Sequence, residues 1–175
     1  VNGQELAAAA KPGTYGKQWQ AVYPVQAADT DAVSFEFVSG FDPVGNALAA
    51  VTPTNPGQVS VDNQPPRLPE VKLVSENVNT SGRLLQLAKA GDNVTVRVVS
   101  SEALAELLLT RSSEAEPMEA EDDTRKTWRY RRTVQDNHSG TAAFSLSYKD
   151  FAGNAGTLVD ATTDGSSVTF DTQKP

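Results

Sequence analysis

The sequence predicts an all-β protein of Greek-key β-sandwich units in tandem, and three observations carry that prediction. Short apolar runs are separated by stretches rich in Thr, Ser, Asn, Asp, Gly and Pro. The clearest runs alternate apolar and polar residues, the period-two signature of a half-buried strand. The chain also repeats itself. Trp19, Val25, Gln26 and Phe35 match Trp128, Val134, Gln135 and Phe144 without a gap. A one-residue slip aligns Asp42, Gly45, Asn46 and Ala47 with Asp150, Gly153, Asn154 and Ala155. A compensating slip sets Thr54, Val59, Asp62, Gln64 and Pro66 on Thr163, Val168, Asp171, Gln173 and Pro175, a period of 109 residues. Solenoid units repeat every ~20–50 residues, so this period describes a folded domain used in tandem. Residues 67–175 are then one complete unit, and 1–66 the C-terminal part of an incomplete one.

The elements of the complete unit follow in order. A proline-bearing joint, Gln64 to Pro69, precedes it; proline restricts its own φ and that of its predecessor, so the joint is expected to be semi-rigid. Val71–Ser75 reads as a first strand, continued by Arg83–Ala88 after a turn at Asn79–Gly82. Gly91–Asn93 turns into the alternating strand Val94–Val99. Ala103–Thr110 suits a helical stripe through Leu104, Leu107 and Leu108, but its length and its place between strands favour a strand. Thr127–Val134 puts Trp128, Tyr130, Arg132 and Val134 on one face. Ala143–Tyr148 turns Phe144, Leu146 and Tyr148 inward, and a Gly-Asn turn spans Asp150–Gly156. Strands near Thr157–Val159 and at Ser167–Asp171 close the domain. Seven or eight short strands in about 100 residues suit a sandwich.

With these elements in place, the chain resembles the bacterial-type Ig-like tandem repeats of large extracellular adhesins and surface proteins. The likeness rests on the ending Ala161–Pro175, on Tyr148–Asn154 and on Lys89–Val96. It implies an extracellular stalk or adhesin unit, whose partners are neighbouring Ig-like repeats of the same protein and a cell-surface protein or glycan.

Bulk properties narrow the function. A net charge of −7 and a pI near 4.7 argue against nucleic acid or an anionic membrane surface as partner. No apolar run approaches the ~18 residues of a membrane span, so no membrane insertion is expected in this segment. Cysteine is absent, which fits surface arrays and cytosolic proteins alike. Asn79, Asn93 and Asn137 head N-glycosylation sequons. Val1 aligns with Thr110, so about 43 residues of matching early strands are expected before it.

Catalysis finds little support. His138 is the lone histidine, lies in a turn, and faces Asp29 in the other copy; no catalytic residue is assigned. Calcium takes six to eight oxygens and is held at the joints of some extracellular arrays. Asp62 and Asn63 with a loop carboxylate, such as Asp150 or Glu76, are the candidate ligands for such a joint site, although aspartates also cap turns without any ion. Glu114, Glu116, Glu119, Glu121, Asp122 and Asp123 form an acidic run just before Arg125, Lys126, Arg129, Arg131 and Arg132. The plainer expectation is a solvated loop that partly neutralises those arginines, the sharper one a docking loop for a basic partner or a neighbouring copy. Trp19 and Trp128 suit either a core role or sugar stacking, and their equal spacing from Phe35 and Phe144 favours the core. The favoured function is an extracellular structural or adhesive spacer and display scaffold. The alternatives are a carbohydrate-binding or accessory module of a secreted enzyme and a cell–cell recognition domain making the contact itself.

Overall fold

The computed structural model describes residues 1, 4–13, 15, 17–29, 31–49, 59–78 and 86–173. The chain is all-β, with fourteen strands and no helix among the described residues. It divides into two compact units, Val1–Asn63 and Gln64–Pro175.

In the second unit, β5 (Glu70–Ser75), β7 (Asn93–Val99), β11 (Thr127–Thr133) and β10 (Glu119–Ala120) form one sheet in the order β10-β11-β7-β5, with every pair antiparallel. Residues directly opposite each other share a face, so register sorts the side chains. Val71, Val98 and Trp128 form one inward row, and Leu73, Val96 and Tyr130 the next. A second sheet, β13-β8-β9, contains β13 (Ser145–Asp150), β8 (Leu104–Arg111) and β9 (Glu114–Pro117). Its inward rows pair Leu109 with Leu146 and Leu107 with Tyr148. Both inner faces enter one buried cluster, which Val168 and Ala88 complete. Each fully buried Leu or Val contributes about 1.5–3 kcal/mol relative to exposure, so this cluster is the main source of stability. A third, small sheet joins β12 (Gly140–Thr141), β14 (Thr169–Phe170) and β6 (Leu87–Ala88); β14 runs parallel to β6.

The sequence-based expectations meet three differences here. Ala103–Thr110 is a strand, as expected, but Leu87–Ala88 does not extend the first strand: it pairs with β14 in another sheet. Residues 79–85, including the expected turn and Asn79, lie outside the described residues. Thr157–Val159 makes only a bridge, from Val159 to Leu146. The acidic run is not a loop. Glu114–Pro117 hydrogen-bonds to β8 as β9, Glu119–Ala120 pairs with β11 as β10, and the chain changes sheets between them. Met118, at the change, is buried in the core and donates its N–H to the Leu107 carbonyl at 3.0 Å. One apolar side chain thus fixes a segment whose composition alone reads as solvated.

The first unit contains β1 (Ala9–Ala10), β2 (Trp19–Gln20), β3 (Asp31–Ala32) and β4 (Ser60–Val61), with β1 paired to β2 and β3 to β4. The β3–β4 pair matches the second unit residue for residue. Asp31 opposes Val61 and Ala32 opposes Ser60, as Gly140 opposes Phe170 and Thr141 opposes Thr169. Val33 N–H bonds the Val59 carbonyl at 2.8 Å, and Ala142 bonds Val168 at 2.8 Å. Ala10 opposes Trp19 and Ala120 opposes Trp128, with one residue more between the paired positions in the first unit. The aligned Asp-to-Asn turns coincide as well. The Asp42 and Asp150 carboxylates each accept both the backbone N–H and the side-chain amide of the asparagine four residues on, at 2.8–2.9 Å. Gly45 and Gly153 occupy the left-handed region at φ 93° and 95°, which a Cβ disfavours. Residues 50–58, with Thr54, lie outside the described residues.

Candidate functional site

The outward face of the four-stranded sheet carries two of the six predicted partner residues, Glu119 and Glu121. Register places Lys72, Arg97, Arg129 and Glu119 in one row across β5, β7, β11 and β10. Like charges directly opposite one another are unfavourable, and each cation of the row has an acid beside it. Lys72 meets Glu70 at 3.0 Å, Arg97 meets Glu121 at 3.0 Å and Arg129 meets Glu119 at 3.5 Å. On the neighbouring row Arg131 meets Glu76 at 2.7 Å. The acidic run therefore neutralises the arginine row across the sheet. Such exposed pairs contribute ~0–1 kcal/mol each, and their main effect is to hold a nearly neutral, hydrogen-bonded surface. Asp122 has a different task, accepting the Thr124 N–H at 2.9 Å and the Thr124 hydroxyl in the turn before β11. Glu114 and Asp123 are exposed.

Glu116 stands apart, because it opposes Leu109 and so shares the inward face of its sheet. Its carboxylate accepts from the Tyr130 hydroxyl at 2.8 Å, from Arg132 at 3.3 Å and from Arg111 at 3.5 Å. Burial, and then the adjacent Glu116 carboxylate, push the Tyr130 hydroxyl above its ordinary pKa. The buried Arg111 Nε makes no hydrogen bond among the described residues. Arg111, Tyr130 and Arg132 border a cavity of about 320 Å³ floored by Leu73, Val96 and Phe144. The network closes one end of the core with charge, and nothing in the sequence pattern set Glu116 apart from its acidic neighbours.

The expected calcium ligands are divided between the two units, Asp62 and Asn63 in the first and Asp150 and Glu76 in the second. Asp62 and Asn63 belong to the first unit, where the Asn63 amide donates to the carbonyls of Gln26 at 3.1 Å and Asp29 at 2.9 Å. Thr172, its aligned partner, donates to the His138 carbonyl at 3.0 Å, so this position ties down a turn in both units. Asp150 is buried and holds its own turn through Asn154. Glu76 is corrected outright. It follows Ser75, which opposes Val94, whereas Asp150 opposes Leu104, just beyond Val99 at the other end of β7. The length of β5 separates the two ends, about 20 Å at ~3.3 Å per residue, so Glu76 and Asp150 cannot share an ion. Glu76 instead accepts from Arg131 and from the Asn93 amide at 3.1 Å, and the Arg131 bond holds its carboxyl below the usual range. The sequence did not single out Glu102, whose carboxylate oxygen lies within 4.8 Å of one from Asp150.

The remaining residues fall into structural places. Asn93 is half-buried on β7; besides the Glu76 bond, its Oδ1 accepts from Thr133 at 2.9 Å, so a glycan on its nitrogen would displace an existing bond. Asn137 is exposed in the Gln135–His138 turn. His138 Nδ1 accepts the Gln135 N–H at 3.2 Å, the role that the Asp29 carboxylate plays for Gln26 at 2.7 Å. The histidine is a turn residue.

Trp128 is core, with its Nε1–H on the Arg125 carbonyl at 2.9 Å and the Arg125 guanidinium 5.0 Å from its ring centroid. Arg125 in turn donates to the Leu104 and Ala105 carbonyls, both at 2.8 Å, a packing role hidden in the sequence among surface arginines. Trp19 differs from its aligned partner and is exposed. No helix among the described residues is long and apolar enough to cross a membrane. Comparison with protein-family models, with curated proteins and with solved structures gave no match.

Proposed function

We propose that the chain is a non-enzymatic, extracellular Ig-like Greek-key repeat, a spacer and display scaffold in a cell-surface adhesin, filament or receptor. Residues 67–175 are one complete repeat, and 1–66 the C-terminal part of another. The observation that carries the proposal is the agreement between the two units of the β3–β4 pair with β12–β14, at an offset of 109 residues, and of the Asp-to-Asn turn, at an offset of 108. A module reused with its hydrogen bonds intact suits an architectural role. The polar side chains around it serve turns and ion pairs.

The parallel β6–β14 pair supports a load-bearing function. Thr169 N–H bonds the Gln86 carbonyl and Asp171 N–H the Ala88 carbonyl, both at 2.9 Å. When the domain is pulled from its two ends, parallel strands are loaded in shear, and several bonds must yield together. Stretching single chains by their termini tests this. The second unit should rupture as one event, lengthening the chain by roughly 350 Å at ~3.3–3.6 Å per residue; smooth extension without a force peak would refute a load-bearing role. A glycan array separates the spacer from a carbohydrate-binding module, since the spacer should be silent. Asn137 is the sequon best placed to carry a sugar.

A further inference from the structure

We infer that the first unit carries a domain-completion surface, which accepts a β-strand segment patterned like Leu68–Arg111. The two units supply the comparison. Val134, Leu146, Val168 and Trp128 are 3%, 0%, 1% and 3% exposed in the second unit. Their aligned counterparts Val25, Phe37, Val59 and Trp19 are 55%, 58%, 60% and 63% exposed in the first. The β3–β4 pair and the Asp-to-Asn turn match their counterparts in the second unit, so the difference lies in what covers these positions. In the second unit the cover is β5, β7 and β8: Val98 opposes Trp128, and Leu109 opposes Leu146. In the first unit β2 pairs with β1, and the segment bearing Phe35 and Phe37 forms no strand among the described residues.

The size of the exposed face fits a folding interface. Aromatic side chains offer ~150–250 Å² each, so Trp19, Phe35 and Phe37 with the two valines present on the order of 500 Å² of apolar surface. A stable interface buries ~800 Å² per partner, somewhat over half of it apolar. Phe35 and Phe37 meet edge to face with centroids 6.2 Å apart, and the largest apolar patch of a monomeric surface, ~300–600 Å², is often a functional one. The occupant is a segment of the β5–β8 pattern carried on the same polypeptide, because in the complete unit β8 passes directly into β9 through one hairpin. This inference rests on the shared register of the units and not on the spacer role.

The test adds a second copy of residues 67–109 ahead of Val1. That segment contains no tryptophan, so the chain's two tryptophans remain the reporters. In the parent chain, acrylamide should quench an accessible component from Trp19 and leave Trp128 protected. In the extended chain the accessible component should fall several-fold, and calorimetry should show a second cooperative transition. Val96→Asp with Val98→Asp, made only in the added copy, should restore quenching without altering the melting of the second unit. Unchanged quenching in the extended chain, or self-association through the added segment, would overturn the inference. Either result alongside an intact force peak for the second unit would leave the load-bearing proposal standing.

Discussion

Leu146→Ala is the most direct test of how the complete unit is held together. Leu146 is fully buried on β13, opposite Leu109, and exchanges backbone bonds with Val159 at 2.7 and 3.2 Å. Truncation removes three carbons and leaves the backbone pairing untouched. At ~0.8 kcal/mol per buried carbon the transfer loss is about 2.4 kcal/mol. The site lies between two sheets pinned by their own ladders, so it relaxes little. A residual void of about 60 Å³, at ~24 cal/mol per Å³, adds about 1.5 kcal/mol. The sum, near 4 kcal/mol, lowers the midpoint of a domain of this size by roughly 16–30 °C, at ~4–8 °C per kcal/mol. Differential scanning calorimetry of the whole chain reads this as a shift of the second unit's transition. A fall below about 5 °C would mean that the two sheets do not share the core described above.

The aligned change in the first unit, Phe37→Ala, should move the calorimetric trace by less than ~0.5 kcal/mol, because the ring is exposed. Gly156→Ala sets a Cβ into the ring of Tyr148, itself buried, and should destabilise by about 1–3 kcal/mol in urea melts; an unchanged urea midpoint would show that the ring moves aside freely. Asp150→Ala leaves the Asn154 N–H and amide without their acceptor and should cost about 1–3 kcal/mol by the same assay, with Asp150→Asn retaining part of it. Acid should weaken the fold through Glu76 and Asp164, both held below the ordinary carboxylate values of 4.5 and 3.8, chiefly by Arg131 and by Ser166. A depressed pKa in the folded state means that the unfolded chain binds the proton first. The stabilisation is present above the ordinary value and is lost as pH falls through the folded pKa. Glu76→Gln should flatten the midpoint-against-pH curve below pH 4.5, and a curve identical to the parent's would remove Glu76 from the account.

Much of the architecture was legible in local pattern. Alternation in Val94–Val99, Thr127–Val134 and Ala143–Tyr148 identified the strands and their inward residues, because side chains on a strand face opposite sides in turn. The equal spacing of the two copies located the matching turns, since an Asp-to-Asn turn with a left-handed glycine is specified within five residues. The candidate site was far less legible. An acid's sequence neighbours do not reveal which cation it meets, so Glu116, Glu119 and Glu121 looked alike. Register then sent one to the interior and two to the sheet surface. Glu76 and Asp150 looked like equivalent loop carboxylates until register put them at opposite ends of the domain.

The all-β character and the paired turn motifs thus belong to the sequence itself, because turn chemistry and period-two patterning act over a few residues. Tertiary structure decided which strands share a sheet, and where the acidic run changes from one to the other. It also decided that a tryptophan buried in one copy is exposed in its aligned counterpart. Burial depends on what lies across the core, and the strands that cover Trp128 are tens of residues away along the chain.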